Sequence, residues 1–230
     1  MSAQSMCDGL GRMHEFAMAM YKAGFDDNII QQVINSRGNK LAKAMYAAVN
    51  NEIKVDDRFE LVNTFGIVVP KDYDHTTRLT TFEEAQGKEF SFYHEAITDP
   101  NFTKATTKLK PGQKFQVKVF QIKKTVSSED CLAFLKNQQA VLVGAQGATL
   151  AYEQGKDKLP IGRWSISFDE KNALPFVDGC HRVPCVHRVS GGDSKFFLDR
   201  FDYDWRDVYY LLCFCDLSAR DGLITGVGLL

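Results

Sequence analysis

In the run KFQVKVFQI, Lys114–Ile122, the apolar residues Phe115, Val117 and Val119 alternate with Lys114, Gln116 and Lys118. A period of two is what a strand with one buried face requires. The segment therefore commits the chain to a sheet with something packed against it. Similar short runs recur from residue 51 onward, separated by turn residues: 65–69 ahead of Pro70, 89–94, and later GRWSISFDE, HRVPCVHRV, KFFLDRF and VYYLLCFC. Ser127 or Ser128, followed by Glu129 and Asp130, is expected to cap an amphipathic helix carrying Cys131, Leu132, Phe134 and Leu135. AVLVGAQG reads as a buried strand ending in glycines, and ATLAYEQ as a short helix.

Before residue 51 the period is helical. Leu10, Met13, Phe16, Ala17 and Met20 share one face, Ile29, Ile30 and Val33 a second, and Leu41, Ala44, Met45 and Ala48 a third. The expected organisation is an N-terminal helical module, 1–52, followed by an α+β domain, 53–230, with most of its strands late. With 230 residues and 44 % apolar composition the chain can bury a sizeable core.

No apolar run is long enough to span a bilayer, so no membrane span is expected. The N-terminus, MSAQSMCDGLGRMHEF, lacks the basic start and apolar stretch of a secretory signal. A cytoplasmic protein, or one exported without a recognisable signal, is the expectation. Six cysteines in such a chain are expected as free thiols. A net charge of −1 supplies no global field toward nucleic acid. Residues 104–124 do hold seven lysines, Lys104 to Lys124, and no acid. Together with Arg37, Lys40 and Lys43 on two short helices around a Gly-containing turn, they form the alternative reading, a nucleic-acid-binding protein. A solvated charge run and a helical hairpin used for packing are the commoner outcomes, and no nucleic acid is expected as a partner.

Signatures of catalysis are sparse. Gly144-Ala145-Gln146-Gly147 sits where phosphate loops sit, yet has neither the Gly-Lys-Ser/Thr ending nor the three-glycine dinucleotide spacing. A tight turn is expected there. Cys180, His181, Cys185 and His187, with Cys213 and Cys215 downstream, are ligand types that zinc selects. Adjacent residues of a strand point apart, however, so Cys180 and His181 cannot share a site on one face. A zinc or thiol-dependent enzyme built on these residues is the second alternative; a Cys-His nucleophile there has no third group to orient it. The preferred expectation is no enzyme, no cofactor and no metal.

An absence marks the last sixty residues. The first 170 contain ten Glu, eleven Gln and six Met; the last sixty contain none. At the earlier frequency about nine or ten would fall there, and compositional deviations of that size carry information. If the adenines of AAC or AAT codons are replaced at random, the third base stays a pyrimidine. Glu, Gln, Met, Lys and Trp then become unreachable, whereas Asp, His, Arg, Tyr, Ser, Phe, Leu, Val, Cys and Gly remain. In CVHRVSGGDSKFFLDRFDYDWRDVYY only Lys195 and Trp205 fall outside that set. Tyr, Arg, Asp and His in such a mixture combine contact area with hydrogen bonding, as binding surfaces do.

With GAQGATLAYEQ, LPIGRWSISFDE, DGCHRVPCV and an Asp204-Trp205 pair before YYLLCFC, residues 127–216 resemble the variable proteins of diversity-generating retroelements. The N-terminal AGFDDNIIQQVINSRGNKLAKAM is similar to a module of proteins from ultra-small bacteria and archaea. The first resemblance implies a C-type lectin fold, with its core at about 110–216, that displays varied side chains on a rigid sheet and short loops. It implies that Val183, Val186, Phe196, Leu198, Trp205, Leu211, Leu212 and Phe214 are framework. Contact positions would be Cys185, His187, Val189, Ser194, Phe197, Asp199, Arg200, Tyr203, Arg206 and Val208, with Cys185, His187 and Val189 on one face of a strand. The implied task is binding of a ligand, a protein or another surface-exposed macromolecule. The Met-rich first helix leaves a homo-oligomer open.

Overall fold

A computed structural model describes residues 56–191 and 193–217. The helices expected before residue 51, with Arg37, Lys40 and Lys43, fall outside the described residues, as does the expected boundary at 52.

The described chain is α+β. Eight strands form one mixed sheet: β1 (Phe59–Val68), β2 (Phe90–Tyr93), β3 (Lys114–Ile122), β4 (Arg163–Ile166), β5 (Phe176–Val177), β6 (Cys180–Arg188), β7 (Ser194–Arg200) and β8 (Tyr209–Asp216). Three α-helices accompany it: α1 (Arg78–Gln86), α2 (Ser128–Asn137) and α3 (Gly144–Gly155). The spatial order is β1-β3-β8-β4-β6-β7-β2, with β5 paired to β6. Neighbours are antiparallel except β4 against β8 and β2 against β7. The segment before residue 110 thus supplies both edges of the sheet.

β3 forms with the expected limits, and its alternation has the expected cause. Phe115, Val117 and Val119 point into a core shared with Ala148, Leu150 and Ala151 of α3 and with Leu79 and Phe82 of α1. On the opposite face Phe120 and Ile122 meet Cys131, Phe134 and Leu135 of α2. One face of the sheet is therefore covered by α3 and α1. The other is covered by α2 over β1, β3 and β8, and by the loops around Phe168 and Phe201 beyond that. The rest of that second face, over β4, β6, β7 and β2, keeps several side chains in solvent.

α2 begins as expected. The Ser127 hydroxyl accepts from the Asp130 N–H at 3.1 Å, and Asp130 accepts from the Ser127 N–H at 3.2 Å, a reciprocal cap. α1 has no such side chain of its own, and Asp99 supplies the cap from a distance. Its carboxylate accepts from the N–H groups of Leu79 and Thr80 at 2.8 and 3.0 Å.

The strand expected over AVLVGAQG does not form. Val141 makes only an isolated bridge to Phe214, and the helix starts at Gly144, so that GAQG is the first turn of α3. Gly144 enters at φ +48°, a conformation glycine adopts without cost. Gly147 lets the helix press against Val143 and Phe214. The 65–69 run belongs to a longer strand that begins at Phe59 and bulges between Leu61 and Asn63.

Candidate ligand-binding surface

On the open part of the sheet the register aligns side chains from five strands. Trp164 lies opposite His187 and beside Tyr209, His187 lies opposite Lys195, and Lys195 lies beside Phe92. Paired residues share a face, so these five form one row. Phe197 and Asp199 continue it along β7 at two-residue steps.

The rings pack edge to face or tilted. Trp164 is 4.7 Å from His187 and 6.1 Å from Phe197, centroid to centroid; Phe197 is 5.7 Å from Phe92 and 5.6 Å from His94. Between them lies an open hollow of 330 Å³ lined by Phe92, Trp164, Lys195, Phe197, Asp199 and Tyr209. Phe92 is 45 % exposed, a large apolar ring left in solvent by a sheet that buries most others.

Asp199 is 9 % exposed. Its Oδ1 accepts from the Arg200 N–H at 2.9 Å and its Oδ2 from the Tyr209 hydroxyl at 2.8 Å. Burial, together with donation to Asp199, pushes the Tyr209 phenol well up, so Tyr209 stays a donor. Burial lowers the His187 imidazole, Lys195 adds to that, and the Gly162 backbone partly opposes it. His94 is lowered by burial and then by Arg182. Both rings are neutral at pH 7 and behave there as flat, weakly polar walls.

Of the expected contact positions, His187, Phe197 and Asp199 come together at this hollow. Arg200, Tyr203, Arg206 and Val208 are exposed on or beside the loop joining β7 to β8, with the Arg200 guanidinium 5.9 Å from the Tyr203 ring centre. The Val208 carbonyl accepts from the Trp164 N–H at 3.1 Å, which ties that loop to the hollow. Cys185 is a correction. It shares the face of His187 but is fully buried beneath the Phe168 and Phe201 loops. Ser194 is also sealed, 2 % exposed and accepting from the Tyr152 hydroxyl at 3.2 Å. Val189 falls beyond the end of β6 and lines a separate 370 Å³ hollow with Glu89, Lys156 and Arg188, so it does not share a face with His187. All eight expected framework residues, Val183 to Phe214, are buried.

Phe92, His94, Trp164, Lys195 and Tyr209 were not among the expected contacts. The pattern in RWSI, which puts Trp164 on the face of Ile166, was the available signal for one of them. Phe92 and Tyr209 enter through strand pairings that no local pattern encodes.

The Cys and His side chains disperse. The Cys180 thiol donates to the Val177 carbonyl at 3.6 Å, His181 Nδ1 lies 3.2 Å from the Leu174 carbonyl, and Cys213 and Cys215 touch each other at 3.8 Å. Among the described residues no three His, Cys, Asp or Glu side chains converge as a metal site. Burial raises the Cys185 thiol well above its ordinary value, which disfavours the thiolate a nucleophile needs. At the start of α3 the Gly144 N–H donates to the Phe168 carbonyl at 3.1 Å, and the buried Asp169 carboxylate beside it accepts from the Thr106 and Glu170 N–H groups at 3.1 and 2.8 Å. Lys123 and Lys124 pair with Glu60 and Asp57, and the other lysines of the run are divided between a loop and β3. Among the described residues no helix is long and apolar enough to cross a membrane.

Compared with family models, with curated proteins and with solved structures, the chain matches none.

Proposed function

We propose that this protein is a ligand-binding protein of the variable type associated with diversity-generating retroelements, without catalytic activity, and that its C-terminal region is a C-type lectin domain. The observation that carries the reading is that seven of the ten expected contact positions lie on one open sheet face and its adjoining loop, while the expected framework residues lie in the core. Residues reachable from shuffled AAC and AAT codons, His187, Phe197, Asp199, Tyr203, Arg206, Val208 and Tyr209, surround the open sheet face and its adjoining loop. The residues assigned to framework are buried.

The topology supports the same reading. β3 and β8, at the two ends of the 110–216 core, pair side by side, and two helices lie between β3 and β4 in the chain. Side chains on such a face can change while the core beneath them does not. The breadth of the surface, from Phe92 across Trp164 to Tyr203, suits a protein partner better than a small molecule.

The test is in the gene. A nearby near-copy of the 3′ end, differing almost only at adenines and lying beside a reverse transcriptase, is expected, with the differing codons falling on the exposed residues above. A locus with neither the copy nor the reverse transcriptase would overturn the proposal.

A further inference from the structure

Asp199 is a nearly buried carboxylate with no counter-ion. It accepts one hydrogen bond on each oxygen, from the Arg200 N–H and the Tyr209 hydroxyl, and both donors are neutral. Among the described residues it joins none of the ion pairs. Buried charges are ordinarily paired, because desolvation without a partner is costly. The same carboxylate lines the hollow whose other walls are Phe92, Trp164, Phe197, Tyr209 and Lys195. Aromatic faces attract cations through their quadrupoles, most strongly when water is excluded.

We infer that this hollow takes a cationic side chain of the partner protein, arginine or lysine, seated between the aromatic walls and paired with Asp199. The inference rests on the reading of this face as the binding surface and names what its central pocket accepts. The cation supplies the charge Asp199 lacks, and each carboxylate oxygen still has a lone pair to accept it. Lys195 is the opposing charge at the rim. Its Cα stands four residues from that of Asp199 along β7, roughly 13 Å at strand spacing, and its exposed ammonium is open to screening by physiological electrolyte. It weakens the site without occupying it.

Trp164 reports on the pocket directly, since the only other tryptophan, Trp205, is fully buried. N-acetyl-arginine amide, its neutral isostere N-acetyl-citrulline amide and N-acetyl-glutamate amide are titrated at millimolar concentrations into the full chain while Trp164 fluorescence is followed; a Trp164→Phe variant gives the background. The arginine probe is expected to saturate, with the citrulline probe roughly tenfold weaker and the glutamate probe silent. Asp199→Asn should erase the preference for arginine over citrulline. Lys195→Met, which leaves Asp199 and its partners intact, should tighten arginine binding by about threefold, in line with the removal of a screened like charge. Equal responses to arginine and citrulline, a stronger response to glutamate, or no saturable response would each overturn the cation assignment. If the gene carries the adenine-substituted copy and the arginine probe still fails, the proposed function stands and this inference alone falls.

Discussion

The indole N–H of Trp205 donates to the Ser128 hydroxyl at 2.8 Å, and that hydroxyl donates to the Phe201 carbonyl at 2.5 Å. Trp205 also exchanges backbone hydrogen bonds with Val126 at 3.0 and 2.8 Å. The loop that carries Tyr203, Arg206 and Val208 is thus held from inside, through its own Trp205 and a serine at the start of α2. Its outward side chains are free of that duty. Trp205→Ala is expected to cost about 3–5 kcal/mol through the cavity it leaves. Ser128→Ala should cost about 1–3 kcal/mol by stranding the indole N–H. The double variant should cost less than the sum, because the second change removes a partner already lost. Tyr203→Ala should stay within about 0.5 kcal/mol. Urea unfolding measures all four, and a Tyr203 loss as large as the Trp205 loss would contradict this division of labour.

The openness of the sheet face can be checked without a ligand. Trp164 lines the hollow, whereas Trp205 is fully buried. Acrylamide quenching of the full chain should resolve one accessible and one protected tryptophan, and Trp164→Phe should abolish the accessible component. Protection of both would mean that something covers the face, and the binding surface would then have to be sought elsewhere.

How much of this was legible from sequence depends on how far apart the interacting residues lie. β3 was legible because its three inward residues alternate against polar neighbours within nine positions. The α2 cap was legible because Ser127 and Asp130 satisfy one another locally. The run of 140–147 misled because α3 is buried on nearly every side, from Gly144 to Tyr152, and so shows no amphipathic period to distinguish it from a core strand. Within the site, sequence alternation placed Cys185 and His187 on one face, and the structure does so too. It could not reveal that loops around Phe168 and Phe201 seal Cys185 while His187 stays at the rim. Phe92 joins Phe197 only because β2 runs parallel to β7 at the sheet edge, a pairing about a hundred residues apart in sequence, for which local patterns carry no signal.

Stability should fall as pH drops below 6.5. His75, His94 and His187 are all held below their ordinary value of 6.5, first by burial and then by a nearby cation, Lys108, Arg182 and Lys195 respectively. Asp74 and Asp99 face His75, and Glu95 and Asp178 face His94, and these oppose the shift without reversing it. The unfolded chain therefore binds protons that the folded one refuses, so the stabilisation is complete above 6.5 and is lost as pH falls through the folded values. Asp56 and Asp130, lowered by Arg58, have the same sign but act only near and below 3.8. Asp169, raised by burial, has the opposite sign and gains stability on acidification. Thermal melts of an Asp169→Asn variant between pH 7.5 and pH 5, each an ordinary buffer condition at about the reference histidine range, should show a falling Tm that flattens when His75, His94 and His187 are all changed to Gln. A Tm that rises over that interval would show that the imidazoles are not buried as described.

Gly147 gives a prediction whose sign runs against helix propensity. In an exposed helix, Gly→Ala would stabilise by about 1 kcal/mol. At Gly147 an added Cβ would stand 2.2 Å from Val143 Cγ2 and 3.1 Å from Phe214 Cζ, in the layer where α3 presses on β8. Val143 and Phe214 are both buried, so neither can swing into solvent to make room. Gly147→Ala is expected to destabilise by about 1–3 kcal/mol through overpacking. Gly87, where α1 ends in right-handed backbone, is the matched control: its Cβ would meet only Glu83 Cγ at 3.6 Å. Gly87→Ala should stabilise by about 0.4–1 kcal/mol, chiefly by restricting the unfolded chain. Urea midpoints of the two variants should move in opposite directions. A stabilising Gly147→Ala would mean that α3 does not approach the sheet this closely, and the close seating of α3 beneath the binding face would have to be given up.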